Sequence, residues 1–134
     1  MMMSKQTLSC VVLVVVVHLM MIMKHVTCVP TVVTLRNEIP NEILHVDCYS
    51  KVDDLGWQTV AFGSSYVISF EQNVQGTTIF VCDFSAGTTY HITSVIVFRG
   101  FMYGPSMPCS TKCTWTISPS GFYDNGVFSQ SWAP

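Results

Sequence analysis

The sequence predicts an all-β protein: a single small antiparallel β-sandwich of about eight strands, stapled by two disulfides. Three observations lead there. Short segments of alternating apolar and polar residues recur at spacings of about 8–12 residues, punctuated by Gly, Pro and Asn turn signals. No stretch carries the i, i+3, i+4, i+7 apolar stripe of an amphipathic helix. Four cysteines remain once a hydrophobic leader is set aside, the count expected of a small exported domain.

The leader comes first in the chain. Lys5 supplies a positive charge, Leu8 to Met23 is an apolar run broken only by polar Ser9 and His18, and Val26-Thr27-Cys28 has small or permitted residues at the cleavage positions. Residues 1–28 are therefore expected to be a cleaved signal peptide, leaving a single domain over residues 29–134. The apolar run is shorter than the roughly 20 residues of a spanning helix, so no stable membrane insertion is expected after cleavage. Cleavage there also removes Cys10 and Cys28 and leaves Cys48, Cys82, Cys109 and Cys113. Spacing alone leaves three connectivities open. The nested set, Cys48–Cys113 around Cys82–Cys109, is the expected one.

The mature domain holds four Lys and Arg against eight Asp and Glu, a net charge of −4. Without a basic patch it has no electrostatic footprint for nucleic acid and none for an anionic membrane. It is expected to be a monomer.

Strand by strand, residues 31–37 are rich in β-branched side chains and end at the turn Glu38-Ile39-Pro40-Asn41. Residues 43–49 place Leu44, Val46 and Cys48 on one face and His45 and Asp47 on the other. Ser50 to Gly56 is polar, closes on glycine and reads as a connection. Strands follow at 57–62 and 66–71, and the nearly continuous apolar segment 77–84 predicts a central strand covered on both faces. After Ser85-Ala86-Gly87 comes a strand over 90–98. Residues 99–112 hold two glycines and two prolines and predict irregular structure. A strand at 114–117 precedes a hairpin built on Asn125-Gly126, the strongest short-range hairpin signal. Trp57, Trp115 and Trp132 lie in or beside alternating strands and are expected in the core.

LHVDCYSKVDDLG (44–56), Gly63, Tyr66 with Phe70, TTIFVCDF (77–84) and CSTKCTWTISPSGFY (109–123) together resemble the plant self-incompatibility S1 (S-protein homologue) family. Asn37 matches the family's N-terminal strand ending in Asn. Phe80, Cys82, Cys109, Cys113 and Trp115 fall at the places of its later cysteine motifs. The resemblance runs through residues 31–132 in order, and it implies a secreted β-sandwich with two disulfides. In the best understood members it also implies a stigma protein that acts as ligand for a receptor on incompatible pollen. One departure is the lack of any Asn-x-Ser/Thr sequon in the mature part, so no N-linked glycan is expected.

Catalytic chemistry finds little support. His45 and His91 are the mature domain's two histidines, and a ribonuclease would need such a pair beside positive charge to hold RNA. No catalytic residue, metal or cofactor is expected. Asp53 and Asp54 lack the alternating oxygen ligands of a calcium loop and suit a hydrogen-bonded turn. The expected function is that of a secreted, non-enzymatic ligand for a cell-surface receptor or wall component, with a secreted hydrolase or a defence protein as alternatives. Candidate partner-binding residues are Arg99, Phe101, Met102, Tyr103 and Met107, types enriched at interface cores and placed on a loop. Asp53, Asp54 and Leu55 form a second candidate surface.

Overall fold

A computed structural model describes residues 30–104 and 111–134. The expected leader, Met107 and Cys109 lie outside the described residues.

Among the described residues nine strands form: β1 (Pro30–Asn37), β2 (Leu44–Tyr49), β3 (Asp54–Val60), β4 (Ser65–Glu71), β5 (Ile79–Ala86), β6 (Tyr90–Arg99), β7 (Lys112–Ser118), β8 (Gly121–Asp124) and β9 (Val127–Gln130). A five-stranded sheet, β4-β1-β7-β8-β9, stacks against a four-stranded sheet, β3-β2-β5-β6. Every ladder is antiparallel except β1–β7, which pairs Val33 with Cys113 in parallel.

Alternation explains the layers. Leu44, Val46 and Cys48 of β2, Phe80, Cys82, Phe84 and Ala86 of β5, and Val33 and Leu35 of β1 are all buried. Each puts every second side chain between the sheets. Two aromatic groups fill the two halves of the core. Phe70 packs at 4.4 Å from Phe80 and 5.1 Å from Phe98 (ring centroids) in one half. Phe122 meets Phe84 and Trp132 in the other. Trp115 is fully buried and ties the sheets together, its indole Nε1–H donating to the Val97 carbonyl at 2.9 Å.

Asn37, also fully buried, organises one end. Its Nδ2 donates to the carbonyls of Glu42 and Val60, and its Oδ1 accepts from the Ile39 amide, each at 2.9 Å. One side chain thus satisfies three backbone groups in the turns after β1 and β3. The C-terminal residues close the neighbouring edge: Trp132 Nε1 donates to Ser118 O, and the Ala133 amide donates to Thr93 Oγ1.

Several expectations are corrected. Cys48 bonds to Cys82, not to Cys113, because β2 and β5 are adjacent and place these two residues directly opposite, with Cα atoms 4.0 Å apart. Cys113 is disulfide-bonded as well, and its partner lies outside the described residues. Strand β3 begins at Asp54, not Trp57, since the Gly56 φ of +71° lets the chain bend while still pairing with β2. Trp57 is 53 % exposed and outside the core, because it stands opposite Asp47 on the outer face. Strand β5 is central, but its outer-face residues are only half-buried, as nothing among the described residues stacks on them.

Candidate functional site

The strand registers bring several loops to one end of the sandwich. Tyr49 opposite Asp54 and Val81, Ile79 opposite Arg99, Pro30 opposite Glu71 and Val32 beside Lys112 place there the ends of β2, β4 and β6 and the starts of β1, β3, β5 and β7. The connections 50–53 and 72–78, the segment after Arg99 and the turn Asn125-Gly126 all project from this end.

The centre of interest is the segment after Arg99. Residues Phe101–Tyr103 form one turn of 3-10 helix with no buried side chain. Phe101 is 62 % exposed, Met102 64 % and Tyr103 46 %, and Arg99 is exposed beside them. The backbone beneath is held firmly. The Gly100 amide donates to Thr78 O at 2.7 Å and the Met102 amide to Gly76 O at 3.0 Å. The Tyr103 and Gly104 amides close the turn onto Gly100 O and Phe101 O. Two glycines make this approach possible: a Cβ on Gly76 would enter the Phe101 ring, and a Cβ on Gly100 would collide with the Gly76 carbonyl. Gly76 also adopts φ +69°, a conformation that favours glycine. Sequence reasoning singled out the aromatic residues but missed Gly76, whose role shows only when the two loops meet.

The second candidate surface divides. Leu55 is 8 % exposed and belongs to the core, and Asp53 is buried too, so neither offers a side chain to a partner. Leu55 turns inward beside Asp54, and the register shift at Gly56 then puts Trp57, two residues on, on the opposite face. Asp54 stays exposed, its Oδ1 accepting from the Gly56 amide at 3.1 Å as a turn former does. Ser50 Oγ accepts from the Asp53 amide at 3.1 Å, which completes the connection.

The electrostatics are acidic. On the outer face of the β3-β2-β5-β6 sheet, Trp57, Asp47, Asp83 and Ser94 stand in one row across four strands. Burial first, then the charges of Asp54 and Asp83, push the Asp47 carboxyl above the ordinary range. Burial likewise raises the Tyr49 hydroxyl, with Asp83 adding to it. Asp124 is 3 % exposed, both carboxyl oxygens lack a partner among the described residues, and burial pushes its pKa up.

His45 faces outward with Asp47, and His91 is exposed and contacts the Pro134 carbonyl. Among the described residues no hydrogen bond joins the two imidazoles. Among the described residues no three His, Cys, Asp or Glu side chains are grouped to hold a metal.

The sequence profile of plant self-incompatibility protein S1 matches residues 32–132. The chain belongs to this family. S-protein homolog 5 of Arabidopsis thaliana is 31% identical over 91 residues, covering 68% of this chain and 67% of that one. S-protein homolog 29 of the same plant is 40% identical over 101 residues, covering 75% and 71%. The fold matches a solved structure of the SPH (self-incompatibility protein homologue) proteins, described as a widespread family of small, highly stable, secreted proteins from plants. That match has a TM-score of 0.59 at 20% identity and covers 82% of this chain and 95% of the other. The S1 family is one of small secreted plant proteins and not a known enzyme family.

Proposed function

We propose that this chain is a secreted, non-enzymatic ligand that docks its loop end onto a cell-surface receptor, after removal of residues 1–28 as a signal peptide. Three consecutive bulky side chains exposed on a turn whose backbone is pinned to residues 76 and 78 support this reading above all else. Pinning matters because a pre-ordered loop loses little conformational entropy on binding. Exposed aromatic and Met side chains beside an arginine have the composition of an interface core. A monomeric ligand of this kind needs no cofactor and no nucleophile.

The test is the double substitution Phe101→Ala with Tyr103→Ala, followed by a melt and a cell-surface binding assay on the same preparation. Both side chains are exposed, so the melt should hardly move. As interface anchors, each should cost on the order of 1–2 kcal/mol of binding. Unchanged binding by a folded variant refutes the assignment.

A further inference from the structure

Among the described residues nothing is stacked on the outer face of the four-stranded sheet. At its centre Asp47 lies between Trp57 on β3 and Asp83 on β5, and Asp54 stands opposite Tyr49 in the next row. We propose that this face docks a basic peptide segment of a partner, with an Arg or Lys side chain seated over the Trp57 ring and against the carboxyl groups of Asp47 and Asp54.

Charge complementarity selects the occupant. Three carboxyl groups share the face, and none of the described residues supplies a cation at its centre. Arg99 pairs with Ile79, four residues along β5 from Asp83, which is about 13 Å at strand rise. Lys51 belongs to the connection at the loop end, and His45 sits one row away, opposite Ser85. Asp83 is satisfied internally, its Oδ1 accepting from Ser94 Oγ at 2.5 Å and Tyr49 Oη at 3.4 Å. Asp47 is not: its Oδ1 is buried without a partner, and the neighbouring Asp54 and Asp83 charges act against its ionised form. An incoming guanidinium or ammonium would set charge-assisted bonds against that repulsion. Trp57 completes the seat, since an exposed indole face attracts a cation through its quadrupole. A neutral glycan could stack on Trp57 but would leave the carboxylate repulsion unrelieved.

The experiment titrates isotope-labelled mature protein with a tetra-arginine peptide, and with tetra-glutamine and a cello-oligosaccharide as controls. Amide shifts locate the site and calorimetry measures affinity. The peptide should perturb residues 45–59 and 81–96 and leave 101–103 unmoved. Asp54→Asn and Trp57→Ala, both at exposed positions, should each weaken it at least about fivefold, and raising salt to about 0.15 M should weaken it further. The double substitution at Phe101 and Tyr103 should bind the peptide normally, which keeps this surface distinguishable from the loop end. Equal binding of tetra-glutamine or the glycan, shifts confined to other residues, or affinity indifferent to Asp54 and Trp57 would each overturn the proposal.

Discussion

Replacing Asn37 with alanine removes one buried side chain and strands three backbone groups. The Ile39 amide and the Val60 carbonyl lie in buried surroundings, and the Glu42 carbonyl is part-buried. A buried polar group left without a partner costs about 1–3 kcal/mol, so the three together should cost roughly 3–6 kcal/mol, with Glu42 at the low end because water can reach it. Alanine leaves too little room gained for well-placed waters to replace all three bonds at once. Against the 5–15 kcal/mol typical of a domain, the loss is severe. For a domain of this size, about 4 kcal/mol corresponds to a fall in Tm of roughly 15–30 °C. Urea unfolding followed by tryptophan fluorescence, with the disulfides intact, gives the free energy directly. Asn37→Asp provides the control, because it preserves the acceptor toward Ile39 but loses both donated bonds and buries a charge. It should destabilise at least as much at neutral pH and recover in part in acid. A loss below about 1 kcal/mol for Asn37→Ala would refute the reasoning, since the turns would then have other means of satisfying their backbone.

Three further outcomes are expected. Replacing Cys48 and Cys82 together with serine opens a closure spanning 34 residues and should cost about 4 kcal/mol in the chain-entropy model, measured by urea unfolding with Cys113 left intact. Asp124 has a raised pKa in the folded state, so it binds its proton more tightly there than when unfolded. Its contribution favours folding below the ordinary carboxylate pKa of about 4 and is lost as pH rises through the raised folded value. Asp124→Asn should abolish that part of the decline, seen as a flatter urea midpoint between acid and neutral pH. Gly76→Ala should displace the Phe101 turn, weakening cell-surface binding and lowering Tm, because the new Cβ meets the ring and φ +69° is unfavourable to alanine. Unaltered amide shifts at 100–103 would contradict it.

Much of this architecture was legible in the residues. The inner-face set Leu44–Val46–Cys48 follows from alternation alone, and Asn125-Gly126 marks the β8–β9 hairpin because both residues adopt positive φ. The start of β3 was not legible, since Asp53, Asp54 and Gly56 have the composition of a turn and only pairing with β2 shows the strand. Disulfide pairing failed for a related reason: it depends on which strands are neighbours, and local pattern carries no such information. At the candidate site, the aromatic residues could be picked out by type. The exposure of Trp57 could not, because an edge strand and a covered strand share the same alternation. Nor could the Gly76–Phe101 contact, which joins two loops remote in sequence.

The parallel pairing of β1 with β7 has a consequence for how the chain reaches its folded form. Strand β1 lies between β4 and β7 in its sheet, yet its partner Cys113 follows Val33 by about 80 residues, a separation that slows folding through the entropy of loop closure. During synthesis the first strand of the domain can meet β4 early but must wait for nearly the whole chain before its other edge is covered. Until then Val33 and Leu35 border a sheet edge open to mispairing with another chain. Completion of the domain is therefore a late, all-at-once event in which the last strands arrive to seal the first.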